Sequence, residues 1–550
     1  MADITQTCTI TGKTFLVTEW EQSHIKKFDA PLPTICIEER HRRRYAKRNG
    51  RNIYSDVCDL SGKPTISLYS PDKDFKVYSQ DSWWSDDYDP TEFGMDYDFN
   101  RPFFEQYAEL TARVPKMALV NVQGENSEYC NMSVGNKNCY LVFGGDFNED
   151  SMYSIFNFHC SDVSDMYWTN KCELAYDCTD CSGCYNVKYC RNTANSRDSQ
   201  FLFECRNLEN CFGCVGLRNK KYHIFNKQYS PEEYKKEIAK FRLDTWSGVL
   251  HMKEEFKKFR LQFPTKALKI TNCENVTGDR IVNAKNCQNC FDIEGPAEDI
   301  KDVFLAGWDV KDVMSCSHVG HKSELLYEEI ANTGCSFCAF SFLISNGNNI
   351  FYSDTALNSQ NLFGCNNIKN AEFCILNKQY TEPEFNELRA RIVEHMRSTG
   401  EWGNFFPISI SPYAYNETVA QDYMPMSKED VLAKGWKWHD EEKSEIGTGP
   451  EIADSISDVT DDILQQDLIC KKTGRAYRII ASELKFYRKM GIPIPRHASA
   501  TRNEQRIATR NMFDTWDRSC EKCSANVKSS FAPDTPEKIY CEKCYLEEVY

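Results

Sequence analysis

An internal repeat constrains the fold of this chain more than any other sequence feature. A shift of 151 residues places NCFGCVGLRNKKYHIFNKQYSPEEY, at 210–234, on NLFGCNNIKNAEFCILNKQYTEPEF, at 361–385, and Cys139 on Cys290. Within each copy, aromatic residues recur among cysteines and small polar residues. This pattern is typical of short strands separated by Asn, Asp and Gly turns. The sequence therefore predicts a mainly β chain with a duplicated core.

We expect this core to be a right-handed parallel β-solenoid. Alternate aromatic positions predict coils of roughly 20–25 residues, with inward aromatics and cysteines and stacked turn asparagines. An irregular antiparallel sandwich is the alternative. Each copy leads into an inserted helix through a capping box, formed by Ser230 with Glu233 and by Thr381 with Glu384. The second of these helices is expected over 382–398.

The two ends of the chain also resemble each other. A shift of 462 residues places 8–88 on 470–550 without a gap, and Cys58 then meets Cys520. The matches fall on cysteines, prolines, glycine and arginines, which are the residue types that fix turns, metal sites and ion pairs. We interpret the ends as two homologous α+β modules of the zinc-ribbon type that flank the solenoid.

These repeats predict six consecutive regions. They are a degenerate zinc-ribbon-like module at 1–91, a connector with a helix at 92–120, a first repeat with its helix at 121–265, a second repeat with its helix at 266–403, a linker with helices at 404–469, and a zinc-ribbon module at 470–550.

The strongest chemical signal is the set Cys520-x2-Cys523 and Cys541-x2-Cys544. Two cysteines separated by two residues lie in one turn and direct both thiolates to one point. Two such turns complete a tetrahedral shell that suits Zn²⁺ and leaves no position open for water or substrate. The sequence therefore predicts one structural zinc ion. The alternative is two reduced cysteine pairs on a hairpin.

The N-terminal module has lost most of these ligands. The columns that hold the four cysteines at the C-terminal end hold Cys58 and three serines, Ser61, Ser79 and Ser82. Serine hydroxyls do not replace thiolates for zinc, so no metal is expected there. Cys8 and Cys36 form a candidate degenerate metal site, with His41 or Glu39 as a further ligand. The alternative for this pair is two thiols without metal.

Cysteines are also dense in the middle of the chain. Cys178-x2-Cys181-x2-Cys184 is similar to part of an iron–sulfur ligand run, and Cys316-x-His318-x2-His321 places metal-ligand types close together. Two of the three cysteines of the first run are replaced in the second copy, which argues against a cluster. We expect the central cysteines to act as small hydrophobic residues inside the solenoid.

One basic segment stands out in a chain of net charge −15. Its cationic residues define the basic stripe: Arg40, Arg42, Arg43, Arg44, Lys47, Arg48 and Arg51. Such a density of cations can neutralise several phosphates of a nucleic acid. The alternative is a helix whose cations pair with acidic groups of the protein itself.

The sequence predicts a cytoplasmic protein that does not enter a membrane. It lacks the pattern of a signal peptide and any long apolar run. Its 27 cysteines then suit a reducing compartment, where they are thiols or metal ligands rather than disulfides.

Several stretches resemble an uncharacterised family of cysteine-rich bacterial proteins. They include CTITGKTF, WWSDDYDP, NKNCYLVF, FNKQYSPEEY and SELKFYRKMGIPIPRH, and the resemblance spans essentially the whole chain. It implies that relatives carry fuller cysteine sets in the end modules, so that the missing ligands here were lost. It implies no activity and no catalytic residues.

These features favour a zinc-binding scaffold without catalytic activity and with a protein partner of unknown identity. Two alternatives remain open. The first is a nucleic-acid-binding protein, of RNA in particular, that uses the basic stripe. The second is a β-solenoid enzyme acting on carbohydrate, which would display carboxylates and basic residues together on one face of the solenoid.

Overall fold

The computed structural model describes residues 2–440 and 449–549, and its regular structure is mainly β, as the sequence predicts. Residues 441–448 of the expected linker lie outside the described residues. Contacts divide the chain into two compact units, of which the first is Met1–Leu119, Leu268–Asp440 and Met512–Thr515, and the second is Val120–Ala267, Glu441–Asn511 and Trp516–Tyr550. The N-terminal module therefore belongs with the second repeat, and the C-terminal module with the first.

The first unit contains a 13-stranded sheet, small hairpins and helices. Its helices are Glu19–Lys27, Ile37–Tyr45, Gln80–Trp84, Phe103–Arg113, Glu382–Ser398, Val419–Tyr423 and Lys428–Ala433, with 3-10 turns at Pro90–Phe93, Ile408–Ile410 and Tyr415–Glu417. Its strands outside the sheet are Ile4–Thr7, Thr14–Val17, Tyr54–Val57, Pro64–Ser67, Val77–Tyr78 and Lys116–Met117. The strands of the sheet are Ile270–Thr271, Glu274–Gly307, Val310–Gly320, Ser323–Tyr327, Ile330–Thr333, Ser336–Ala339, Phe342–Ser345, Asn348–Phe351, Asp354–Leu357, Gln360–Phe363, Asn366–Lys369, Glu372–Ile375 and Lys378–Gln379.

The second unit contains a 10-stranded sheet. The strands of the first repeat are Asn121–Val122, Ser133–Val134, Tyr140–Phe143, Met152–Phe158, Ser161–Asn170, Glu173–Ser182, Tyr185–Lys188, Arg191–Ala194, Arg197–Gln200, Glu209–Phe212, Lys221–Ile224 and Lys227–Gln228. They are followed by helix Pro231–Ile238, 3-10 turn Ala239–Phe241, helix Trp246–Arg260 and strand Pro264–Lys266. The C-terminal part holds 3-10 turns Ile456–Asp458 and Asp461–Gln465, strands Leu468–Ile469, Ala476–Tyr477, Trp516–Ser519, Asn526–Ser529 and Lys538–Tyr540, and helices Ala481–Met490, Ser499–Ile507 and Glu542–Val549.

Parallel pairing at a regular offset organises both sheets. In the first repeat Ser161 pairs with Glu173, and in the second Ser336 pairs with Asn348. Each partner lies 12 residues further along the chain, the same separation that hydrogen bonds between neighbouring strands show. This offset is about half of the coil length that the aromatic spacing predicts, so that prediction is wrong.

A left-handed backbone at every third residue explains the short offset. From Asp162 to Phe201, every third residue has φ between 49° and 61°. Such a residue turns the chain after only two extended residues, and 12 residues hold four of these triplets. Asn, Asp and Gly reach this conformation at the lowest cost, and they occupy many of the positions, including Asp180, Gly183 and Asn186.

The residue after each left-handed position points into the interior of its repeat. In the first repeat these core residues include Cys160, Val163, Met166 and Cys172, each at most 1% exposed. The second repeat has a core of the same composition, aliphatic residues and cysteines. Within the described chain, these two clusters contain no aromatic residue. The prediction that the cysteines are buried as small hydrophobic residues is confirmed, and the prediction of inward aromatics is wrong.

Aromatic side chains lie instead on the outside of the repeats, where helices cover them. Phe212 stacks on Phe241 with ring centroids 4.6 Å apart, and Phe201 meets Phe256 edge to face at 5.8 Å. Because a side of the coil is only three residues long, its interior has room for small side chains but not for packed rings. The aromatics therefore join the repeat to its helices.

Asparagine ladders run along the turns, as the sequence predicts. The side chain of Asn346 donates to Asn358 at 3.0 Å, and that of Asn349 donates to Asn361 at 2.7 Å. Both pairs occupy left-handed positions in successive coils. The same residue type thus tolerates the backbone and satisfies its neighbour's amide.

The capped helices agree with the sequence better than the linker does. Both capping boxes form, and the second helix is Glu382–Ser398, as predicted. The expected amphipathic helix carrying Ile456 and Ile463 is instead two short 3-10 turns that bury both side chains. No helix in the described part of the chain is long and apolar enough to cross a membrane.

The ladder geometry generates a test at Asn186, which has φ of 50° and donates to Asp198 at 2.8 Å. We expect Asn186→Ala to lower the free energy of unfolding by about 1–2 kcal/mol, because it strains the left-handed backbone and removes a hydrogen bond. Asn186→Gly relieves the strain alone and should cost less. Urea unfolding measures both, and an alanine variant as stable as the wild type would contradict this account.

Candidate metal centre and the basic stripe

The four C-terminal cysteines lie in two turns that face each other. The hairpin formed by Trp516–Ser519 and Asn526–Ser529 ends in a turn where the amide of Cys520 donates to Ala525 O at 2.8 Å. Cys541 directly precedes helix Glu542–Val549, and Cys544 lies in its first turn. Local turn geometry alone therefore presents each pair of thiols.

The spacing of the sulfur atoms suits a tetrahedral metal ion. All four Sγ atoms lie within 4.8 Å of one another, and Cys523 Sγ is 3.8 Å from Cys541 Sγ. A tetrahedron with metal–sulfur bonds of about 2.3 Å has edges of about 3.8 Å. The group can hold a metal ion, and four protein ligands fill its coordination shell. Among residues 2–440 and 449–549, this is the one group of three or more ligand residues found at such spacing.

Backbone amides favour the charged form of one ligand. Burial raises the pKa of the Cys520 thiol, but hydrogen bonds from the backbone of Cys541, Cys523 and Lys522 outweigh it and lower the pKa to about 6. A thiolate is the form that binds metal. The protein thus prepares this sulfur for coordination before any ion arrives.

The same turn occurs three more times without its four thiols. The amides of Cys8, Cys58 and Cys470 each donate to the carbonyl five residues later at 2.8–2.9 Å, as that of Cys520 does. The corresponding residue to Cys523 is Thr11, Ser61 or Thr473 in these turns. The backbone of the knuckle is therefore present four times and its full ligand set once.

Hydrogen bonds occupy the place of coordination around Cys58. Its sulfur accepts from the amides of Ser61 at 3.4 Å and Ser79 at 3.2 Å, and lies 3.4 Å from Ser82 Oγ. Burial raises the pKa of Cys58, but the hydroxyl and amide donors outweigh it and lower the pKa to about 6. The serines that exclude zinc thus still surround the sulfur.

Cys8 and Cys36, the candidate degenerate site, are brought together but without a full ligand set. Both thiols are buried, and Thr11 Oγ1 lies 3.9 Å from Cys36 Sγ. Burial raises the pKa of Cys36 to about 11, so this thiol keeps its proton at neutral pH. No third ligand residue joins the pair at metal-binding distances among the described residues.

The other cysteine and histidine runs do not converge. Cys178, Cys181 and Cys184 face the core of the first repeat. Cys316 also points inward, whereas His321 is exposed and stacks on Trp308. The three-residue rhythm of the backbone sends Cys316 to the inside and the histidines to left-handed positions.

Much of the basic stripe is buried against the second repeat. Arg40 and Arg44 both pair with Glu328, the first at 2.8 Å, and Lys47 pairs with Asp354 at 2.9 Å. Arg40, Arg44, Lys47 and Arg48 are each at most 7% exposed. These four cations are not presented to phosphate. Their placement corresponds to the alternative in which the cations pair with the protein's own acidic groups.

The three remaining cations of the stripe lie nearer the surface. Arg42 bonds to Glu39 and to Tyr415 Oη at 2.7 Å, and Arg51 pairs with Asp422. Arg43 is half-buried. A nucleic-acid site would have to use these three without the help of the other four.

The C-terminal module repeats the arrangement on the first repeat. Arg502 and Arg506 both contact Asp165, at 3.0 and 2.8 Å, and Arg510 pairs with Asp180 at 2.9 Å. Each module therefore inserts an arginine helix against acidic residues of its repeat.

Sequence reasoning missed the carboxylates that receive these arginines. One signal was available: the 151-residue shift that joins Tyr176 to Tyr327 also joins Asp177 to Glu328, so an acid stands there in both copies. Arg506 lies 3.9 Å from Asp177. A carboxylate kept beside a buried aromatic column marks the landing place of a cation.

Comparisons with known proteins add no family. None of the protein families or curated proteins searched matches this chain. One solved structure found, from a Desulfovibrio desulfuricans G20 protein named as an acetyltransferase, shares 8% identity, covers 50% of this chain and 81% of its own, and has a TM-score of 0.11. A likeness at that score carries no argument about fold or function.

The metal centre is tested by metal content. We expect about one metal ion per purified chain and its loss in Cys541→Ser, because three thiolates no longer close the tetrahedron. Cys58→Ser is the matched control and should leave the metal content unchanged. Elemental analysis by mass spectrometry reads both. Metal retained in Cys541→Ser, or lost in Cys58→Ser, would contradict the assignment.

The buried arginines are tested by a pair of neighbouring variants. Arg44→Ala should lower the free energy of unfolding by about 3–5 kcal/mol, because Glu328 is then left buried without one of its cations. Arg43→Ala, one residue away and half-buried, should cost less than about 1 kcal/mol. Chemical unfolding measures both. Equal effects would show that burial of the stripe does not decide its role.

Proposed function

We propose that this chain is a cytoplasmic, zinc-binding scaffold protein that presents β-solenoid surfaces to a protein partner and performs no catalysis. The observation that carries this proposal is the parallel pairing at a 12-residue offset, with one inward residue in every three. Such stacking produces long, regular and rigid faces, which are suited to binding extended partners.

The parallel stacking supports the solenoid assignment within each unit. Parallel strands joined by short turns must advance by one coil at each pairing, and connections between parallel strands are right-handed in nearly all known cases. We therefore assign a right-handed coil to both repeats. The shared element order of the two end modules, in which Ile37–Tyr45 and Ser499–Ile507 begin 462 residues apart, supports their common origin.

The ligand chemistry supports zinc as the metal and a structural role for it. Four thiolates in tetrahedral arrangement are the commonest structural zinc site. Because four protein ligands leave no position for water or substrate, the ion would stabilise the C-terminal module rather than react. The described cysteines are all free thiols, which supports a reducing compartment such as the cytoplasm.

A pull-down from native lysate tests the scaffold proposal. Tagged full-length protein is used as bait, with and without nuclease treatment, and the eluate is identified by mass spectrometry. We expect a defined protein to be retained in stoichiometric amount in both conditions. Recovery that disappears after nuclease would replace the proposal with nucleic-acid binding, and recovery of nothing above an unrelated bait would contradict it.

A further inference from the structure

A groove runs along one edge of the second repeat. One part of it is a cavity of about 520 Å³ over Cys273, Ala284 and Ala297. Another part is a cavity of about 660 Å³ over Gly347 and Ala371. Both are lined by residues of the same sheet in the first unit.

The two cavities share one column of the sheet. Lys311, in the wall of the first cavity, pairs with Glu324, which pairs with Ser336 in the wall of the second. The column continues through Asn348 to Gln360. Since neighbouring strands are about 4.8 Å apart, the wall offers one side chain at that interval along its whole length.

Small inward residues create the concave floor of the second cavity. Cys335, Gly347, Ser359 and Ala371 occupy successive inward positions and are buried. Their small volume lets the surface sink between the exposed side chains on either side. The groove is thus a consequence of which residues face inward, and it is open to solvent.

The walls of the second cavity are exposed amides. Asn346 and Asn358 form the ladder on one side, and Asn348 and Gln360 line the other; all four are exposed. A primary amide donates two hydrogen bonds and accepts two. A row of such groups can match a row of hydroxyls, each of which also donates and accepts.

The lining of this cavity argues against other polymers. It contains no lysine, arginine or aromatic residue among the described residues, and Glu372 is its one charged group. Phosphate polymers need cations, and apolar peptide anchors need hydrophobic pockets. The backbone of the column is already paired with strands on both sides, so an added peptide strand has no free edge to join.

The first cavity carries charges that cancel each other. Lys285 lies 3.7 Å from Glu274, and Lys311 lies 3.4 Å from Glu298. Cation and anion alternate along the column, so this part of the groove selects neither a polyanion nor a polycation. It still offers hydrogen-bonding groups in line with the amides.

We propose that this groove binds a linear, uncharged polyhydroxyl polymer, that is, a neutral polysaccharide chain. This inference rests on the proposed scaffold function and names the class of ligand that one of its faces takes. It is binding rather than hydrolysis, because glycoside hydrolysis uses a pair of carboxyl groups and the amide-lined cavity has Glu372 alone.

The first repeat supplies a matched control. The 151-residue shift places Tyr185, Arg197, Glu209 and Lys221 on the four residues of the amide wall and its end, 336, 348, 360 and 372. These residues form the same kind of column. Their charges and ring give no row of amides. Glu209→Ala therefore changes the equivalent position to Gln360 without touching the groove.

Affinity electrophoresis tests the proposal. The full chain is run in native gels cast with hydroxyethyl cellulose, xylan or dextran, and in gels with heparin as a polyanion. We expect retardation by at least one of the three neutral polymers and none by heparin. The double variant Asn348→Ala/Gln360→Ala should weaken retardation roughly tenfold, as the loss of two hydrogen bonds predicts, and Glu209→Ala should leave it unchanged.

Three results would overturn the groove assignment: no retardation by any neutral polymer, retardation by heparin alone, or equal retardation of wild type and double variant. Thermal unfolding and metal content, measured on each variant, establish that the double variant is folded. Failure here with a protein still captured in the pull-down rejects the polysaccharide site and leaves the scaffold proposal standing. Failure of both rejects the scaffold as well.

Discussion

The left-handed residue at every third position is the constraint on which both repeats depend. It fixes the offset between strands, because the chain turns after two extended residues and returns to its starting edge after four turns. It also decides side-chain placement: the next residue faces the core, where cysteine and valine fit and rings do not. Asn and Asp at the turns accept the conformation and bond to their neighbours one coil away. Backbone, core and surface thus follow from one conformational choice.

Buried arginines are the second organising interaction, and their energetic role differs from that of the core. A buried ion pair recovers little more than the cost of removing its charges from water. Its value lies in selecting one orientation, since Arg40 and Arg44 must both meet Glu328. The apolar contacts around the pair provide most of the attraction. Each module is therefore held to its repeat by packing and placed in register by charge.

Local features were predictable from the sequence, and features that depend on distant partners were not. The two turns of the cysteine centre and helix Glu382–Ser398 are encoded within a few residues, and the sequence identifies both. The coil length failed because aromatics such as Tyr153 stand at left-handed outer positions, so their spacing reports contacts with the modules rather than the period of the core. The burial of Arg44 depends on Glu328, which is 284 residues away. No local pattern announces such a partner.

The loss of ligands around Cys58 is then understandable in physical terms. A structural zinc ion contributes about 10–16 kcal/mol to a small isolated domain, whereas each hydrogen bond around Cys58 contributes about 1 kcal/mol. The difference must be supplied by packing. Trp83, beside Ser82, is fully buried, and Lys369 of the second repeat donates to its carbonyl at 2.6 Å and lies 5.5 Å from its ring. At the corresponding position of the C-terminal module stands Tyr545, a smaller ring whose hydroxyl bonds to Glu204. The end that buries the larger ring is the end that can dispense with a metal.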